Sequence, residues 1–150
     1  MAAGNFKWFS PALLAMGEGA LTLPNKVRVV LLTAAWTPNQ NVNDAWGDIS
    51  ANEVANGAGY ATHGKALTGT WNQAVNVVTF DADDQTWSAA TITAKYAVLV
   101  EDDDNDGLLA AGDVILGYAD LNDSGGSVTS TAGNFTITWN SGGILRMTAN

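Results

Sequence analysis

From residue 26 onward, apolar residues recur in short stretches that alternate with polar ones or run unbroken for four or five positions, a pattern that predicts strands. Residues 26–33 (KVRVVLLT) begin by alternating and then become continuously apolar, as a strand covered on both faces does. Residues 90–100 (ATITAKYAVLV) put Ile92, Ala94, Tyr96, Val98 and Val100 on one face, and residues 135–139 (FTITW) alternate throughout. Shorter strands are expected at residues 60–67, 75–80, 114–119 and 144–147. Between these runs lie Asn56-Gly57, Asp106-Gly107, Ser124-Gly125-Gly126, Ala132-Gly133-Asn134 and Ser141-Gly142-Gly143, residues that adopt positive φ at little cost and so close hairpins. About seven or eight short strands with turns at this frequency predict an all-β fold, a single antiparallel β-sandwich over residues 25–150. No pattern long enough for a helix follows residue 25, apart from one turn at residues 49–54, where Ser50 three positions before Glu53 forms a capping box.

Residues 1–24 read as an extended N-terminal arm. Ser10-Pro11 is a helix start, with Ser as N-cap and Pro pre-set for the first turn, and Gly17 stops the helix after one or two turns. Phe6, Trp8 and Phe9 precede it, three aromatics that a short arm cannot bury against itself. Two destinations are open to them, the chain's own sheet and a neighbouring subunit. With Leu13, Leu14 and Met16 they make the arm too apolar for solvent, and an intermolecular interface is the expectation carried forward, with a sandwich that folds without the arm. Residues 36–59 are the longest stretch without strand character, and loops of that length are either functional or tightly docked. Trp36 and Trp46 are the residues placed to pin this one to the sandwich edge.

Composition narrows the chemistry. The 150 residues are the size of one domain. Only 14% are charged, so the polar surface is built from Thr, Asn, Ser and Gly. Fifteen acids against six bases leave a net charge of −9, the wrong sign for neutralising phosphates, and nucleic acid is not an expected partner. Cysteine is absent, which removes disulfides, thiolate metal sites and thiol nucleophiles together. No apolar stretch approaches the ~20 residues of a membrane span, and Pro11 with Gly17 and Gly19 breaks up the start of the chain too early for a secretory leader. No membrane partner is expected.

Eleven of the fifteen acids lie between Asp81 and Asp123, with Lys95 the single base among them. Counting Asp102 as position 1, carboxylates fall at positions 1, 3 and 5 (Asp102, Asp104, Asp106), Gly107 at 6, Leu108 at 7 and Asp113 at 12. That is the spacing of an EF-hand-type calcium loop: oxygen ligands from alternate residues, a glycine at the sharp turn, a backbone carbonyl and a closing carboxylate. The expected ligands of a calcium ion are therefore Asp102, Asp104, Asp106, the carbonyl of Leu108 and Asp113. Asp113 is shorter than the usual glutamate, and the flanks read as strands, so the loop would sit in a hairpin. A solvated acidic hairpin tip is the plainer alternative. Asp81, Asp83 and Asp84 lack a glycine and a closing ligand and read as a turn. His63 is the single histidine and has no serine nucleophile in a recognisable motif, so catalysis is not expected.

The runs Leu23-Pro24-Asn25-Lys26-Val27-Arg28-Val29-Val30-Leu31-Leu32, Trp46-Gly47-Asp48-Ile49-Ser50-Ala51-Asn52-Glu53-Val54 with Gly59-Tyr60, Phe80-Asp81-Ala82-Asp83-Asp84 before Trp87, and Gly133-Asn134-Phe135-Thr136-Ile137-Thr138-Trp139 with Gly143-Ile144-Leu145 occur in this order. Together they resemble a family of small virion structural proteins of tailed bacteriophages, over roughly residues 23–147. The acidic segment 101–113 is not part of that pattern. The resemblance implies a virion protein made in the host cytoplasm, most simply a capsid decoration (cement) protein on the outside of the head. Its partners would be the major capsid protein and copies of itself, as a homotrimer. A tail or fibre component is the alternative, and a calcium-dependent carbohydrate-binding module using the Trp residues is the other class that the composition allows.

Overall fold

The computed structural model describes residues 5–22 and 25–149. Residues 1–4, 23, 24 and 150 lie outside that range, and with them Leu23 and Pro24 of the first quoted run and the expected boundary between arm and sandwich. In chain order the elements are β1 (Lys7–Trp8), α1 (Ser10–Gly17), β2 (Val27–Leu32), two 3-10 turns (Trp46–Asp48 and Ser50–Asn52), β3 (Lys65–Leu67), β4 (Gly69–Ala74), β5 (Val77–Ala82), β6 (Gln85–Ala90), β7 (Thr93–Ala94), β8 (Tyr96–Glu101), β9 (Ile115–Asp120), β10 (Val128–Thr129), β11 (Gly133–Ile137) and β12 (Leu145–Thr148). The fold is all-β, and every strand pairing is antiparallel. The strands form a five-stranded sheet in the order β1-β9-β8-β2-β3, a three-stranded sheet β12-β5-β4, and the pairs β11-β6 and β10-β7.

The centre of the large sheet follows from its sequence. In β2, β8 and β9 nearly every side chain is buried, because both faces are covered, and these are the runs that lose their alternation. The flanking strands β1 and β3 are only two and three residues long, which leaves little unpaired edge. A single hydrophobic core spans the sheets, with Phe9, Phe80, Phe135, Leu31, Leu99 and Ile137 among its largest fully buried side chains.

The single strand expected over residues 90–100 is corrected. β6 ends at Ala90, Thr91 N–H then donates to the carbonyl of Ala58 at 2.8 Å, β7 pairs with β10, and β8 turns to β2 and β9. The alternation survives because Ile92, Ala94, Val98 and Val100 are all buried, although by different neighbours; Tyr96 is only half-buried, while Ala97 and Leu99 on the opposite face are buried too. Of residues 60–67 only Lys65–Leu67 is strand. Strands β4 and β6 were not expected, since GTWNQA and QTWSAA each carry one large apolar residue.

The separate arm is also corrected. β1 joins the main sheet against β9, with Lys7 opposite Tyr118 and Trp8 opposite Gly117, and Phe9 N–H continues the ladder to the Leu116 carbonyl at 3.0 Å. Phe9 is fully buried, its ring 5.3 Å from that of Tyr118 and 6.3 Å from that of Trp36. It belongs to the core of its own protomer and has no surface left for a neighbour. Because Phe9 is still extended, it is the residue that precedes the helix; Ser10 is its first residue, and its N–H donates to the Gln40 carbonyl. The capping box at Ser50 does not form either. Asp48 supplies the carboxylate one turn earlier, accepting from Asp44 and Ala45 N–H, and Glu53 turns inward. The long loop 36–59 is docked, with Trp36, Trp46 and Ile49 buried.

Candidate metal centre

Residues 102–114 connect β8 to β9, two adjacent strands of the main sheet, so the acidic loop is anchored at both ends in buried, paired strands. Among the described residues, three charged side chains are buried, and all belong to this segment: Glu101, Asp102 and Asp113. Burial of a carboxylate is expensive unless its oxygens find donors. Glu101 finds them in Thr22, whose N–H and hydroxyl donate at 2.5 and 2.9 Å. Asp113 accepts from the Ala110 N–H at 2.8 Å, and burial nevertheless pushes its carboxyl above the ordinary aspartate range.

Asp102 is satisfied on one side only. Its Oδ2 accepts from the Gly107 N–H at 3.0 Å and lies 3.8 Å from the Arg28 guanidinium. Its Oδ1 is buried and has no hydrogen-bond partner. The loop coils tightly around this residue. Asn105 and Gly107 adopt φ of +57° and +90°, a conformation glycine takes without strain. Asp104 Oδ1 accepts from the Asp106 N–H at 3.4 Å, and Asp106 Oδ1 from the Leu108 N–H at 2.7 Å. As a result Asp102, Asp104 and Asp106 each offer an oxygen within 4.8 Å of the others. Of the five expected ligands, these three carboxylates are brought together. Asp113 is not in that cluster; its carboxyl accepts from Ala110 N–H and lies within electrostatic reach of Asp102 and Asp104.

The residues that hold the loop were not identified from the sequence. Arg28 donates from Nε to the His63 carbonyl at 2.8 Å and from Nη2 to the Gly64 carbonyl at 3.2 Å, which aims the remaining arm of its guanidinium at Asp102. Lys26 Nζ donates to the Asp103 carbonyl. His63 Nδ1 accepts from the Leu109 N–H at 2.9 Å, so the imidazole is a strut for the loop and its ring lies against Trp46. Arg28 is the one charge inside the apolar run of β2, which is the signal that marks it; its partner emerges only when the β2–β8 register sets it beside Val100, two residues before Asp102.

Behind Arg28 lies a second polar chain. Glu53 Oε1 accepts from the Tyr60 hydroxyl at 2.8 Å and the His63 N–H at 2.7 Å, and the Leu31 N–H donates to the same hydroxyl at 3.1 Å. Burial pushes the Tyr60 phenol up and raises Glu53 above its ordinary 4.5. Tyr60→Phe strands the Leu31 N–H and removes a donor from Glu53, and is expected to cost about 2 kcal/mol in urea denaturation. Because the folded-state carboxyl of Glu53 holds its proton to higher pH than the unfolded one, it favours folding in acid. That contribution fades as pH rises through the raised value. Glu53→Gln should flatten this part of the stability profile above pH 4.5.

The other expected positions fall as follows. Phe6 packs edge-on to Trp139 at 5.6 Å and Trp8 stacks on Trp71 at 6.5 Å, both half-buried on their own chain. Leu13 and Leu14 are 42% and 62% exposed. Met16 lines an apolar groove with Leu21, Trp71, Val78 and Met147. Asp83 and Asp84 form a turn that fastens Trp139, whose indole N–H donates to the Asp83 carbonyl and whose backbone N–H donates to Asp84 Oδ1. No protein family, curated protein or solved structure matches the chain.

Proposed function

We propose that this chain is a non-catalytic structural protein of a tailed-phage virion, a decoration protein on the outside of the head that contacts the major capsid protein and copies of itself. In this reading the antiparallel sheets act together as one sandwich, and the helix presented on it is the docking element. The observation that carries the reading is the outer face of α1. Leu13 and Leu14 are exposed on that helix; Leu14 lines one cleft with Pro11, Ala45 and Val114, and Met16, on another side of the helix, lines an apolar groove with Trp71 and Met147. Exposed leucines on a helix with clefts along it suit a partner surface, and a symmetric lattice multiplies a modest contact into high occupancy. The ordered phage-like segments supply the identity of that partner.

Two further placements support a binding role over the other classes. His63 has its Nδ1 engaged by a backbone N–H, and in the polar cleft beside Tyr96 and Tyr118, Asp120 is paired with Lys95 at 3.5 Å. Neither is arranged as an acid, base or nucleophile. Four of the six Trp are buried, and the two half-buried ones, Trp8 and Trp71, stack on each other rather than forming a row of separate indoles.

The test is a co-sedimentation of the protein with heads that lack it. Leu14→Asp touches an exposed position and should change stability by no more than about 0.5 kcal/mol. It should nevertheless lower head binding at least about tenfold, the equivalent of ~1.4 kcal/mol. Undiminished binding by a folded Leu14→Asp variant would remove α1 from the interface, and wild-type protein that fails to sediment with heads would remove the decoration role.

A further inference from the structure

We propose that Asp102, Asp104 and Asp106 form a calcium site in which the two oxygens of Asp102 divide the work: Oδ2 is tied to the protein and Oδ1 is kept for the ion. The inference is independent of any place on a virion. It rests on two separate observations. The first is the convergence of three carboxylate oxygens within 4.8 Å of one another. The second is that Asp102, 1% exposed, keeps one oxygen with no donor at all.

Acidic clusters at hairpin tips are common, and exposed ones settle into water. Asp102 cannot do so, because it is buried. A buried carboxylate that served only as a structural acceptor would have donors on both oxygens. The protein supplies donors to one side alone: the Gly107 N–H and the Arg28 guanidinium stand at Oδ2. A cation is the remaining partner for Oδ1, and it would at the same time relieve the mutual repulsion of Asp104 and Asp106.

The donor set decides the ion. Carboxylate oxygens suit a hard cation, and soft metals that prefer sulfur or imidazole find neither in the cluster. Calcium accepts irregular oxygen shells with several waters, whereas magnesium demands a near-ideal octahedron. Two of the three carboxylates, Asp104 and Asp106, are exposed, so water completes the shell. Asp113 is not among the three converging carboxylates, and as an aspartate at the closing position it is shorter than the usual glutamate. The affinity therefore belongs to the weak end of calcium loops, on the order of 10⁻⁴ to 10⁻³ M.

Arg28 gives the site its anchor. Its guanidinium is fixed by the carbonyls of His63 and Gly64, and Asp102 N–H donates to the Lys26 carbonyl at 2.7 Å. An ion at Oδ1 thus fastens the end of β8 to β2 as well as closing the loop.

Titrating chelator-treated full-length protein with calcium chloride should show one ion bound per chain and a thermal midpoint that rises with calcium and continues to rise logarithmically beyond saturation of the site. Sodium chloride at matched ionic strength separates site binding from screening of the acidic surface. Asp104→Asn and Asp106→Asn change exposed side chains and should keep the fold while weakening calcium binding at least about tenfold. Asp102→Asn should abolish binding, and if it does not fold, the two exposed variants carry the test alone. No binding heat up to about 10 mM calcium, a midpoint rise reproduced by sodium chloride, or unchanged binding in both exposed variants would each overturn the site. A magnesium response equal to that of calcium would overturn the choice of ion.

Discussion

Replacing Phe9 with alanine is expected to cost about 3–5 kcal/mol of folding stability, a large share of the 5–15 kcal/mol typical of a whole domain. The side chain is fully buried between Trp36 and Tyr118 at the junction of β1 and α1. Its removal leaves a cavity that the neighbouring rings cannot close, because Trp36 is already held edge-on to Tyr96 at 5.1 Å and to Tyr118 at 5.6 Å. For a domain of this size the loss corresponds to a fall of roughly 10 °C in Tm. A chain beginning at residue 25 loses more. It gives up β1, Phe9, buried Ala12 and the Thr22 donors that satisfy buried Glu101. Such a truncation is expected to unfold or aggregate, which is the opposite of what a detachable arm would do. Thermal denaturation of Phe9→Ala beside Leu14→Ala as an exposed control gives the comparison. A loss below about 1 kcal/mol at Phe9 would mean that the segment is not part of the core.

Gly64→Ala is expected to be as damaging, through the backbone. A Cβ at this position would stand 1.9 Å from the Val29 carbonyl oxygen and 3.0 Å from Val30 Cα, in the middle of β2. The residue also has φ of +58°, and His63 before it has +66°, so two left-handed residues in succession turn the chain into β3. Left-handed strain of about 1–2 kcal/mol adds to the cost of overpacking a central strand, about 1–3 kcal/mol, for roughly 2–5 kcal/mol in all. The consequence reaches the acidic loop, because the Gly64 and His63 carbonyls hold Arg28 and Arg28 stands at Asp102. Gly112→Ala is the matched control: it lies in the loop itself, and a Cβ there meets nothing within 4 Å. Equal stability of the two variants would contradict the close approach of Gly64 to β2.

The strands that could be read from the chain are those whose environment is written in their own residues. β2 is apolar from Val29 to Leu32 because it is covered on both faces, and β11 alternates because Phe135 and Ile137 point inward. The close spacing of Asp102, Asp104, Asp106 and Gly107 likewise survives folding, since a tight loop keeps neighbours together. What could not be read depends on pairing across long separations. Asp113, seven residues beyond Asp106, needs the whole loop's path to place its carboxylate, which accepts from the Ala110 N–H and stays outside the group of three. Arg28 meets Asp102 only through the β2–β8 register, and Phe9 finds its pocket only once β9 and the loop bearing Trp36 are in position. Strands β4 and β6 escape notice for another reason: as peripheral strands with mostly polar side chains, they draw stability from their partners rather than from an apolar face of their own.

The most direct test of the proposed role is the copy number of this chain in purified virions, measured by quantitative mass spectrometry on separated heads and tails. A decoration protein on a symmetric head lattice is present in tens to hundreds of copies, all fractionating with heads. Fewer than about a dozen copies, recovered with tails, would contradict the decoration reading in favour of a tail or fibre component, and absence from both fractions would contradict a virion role altogether.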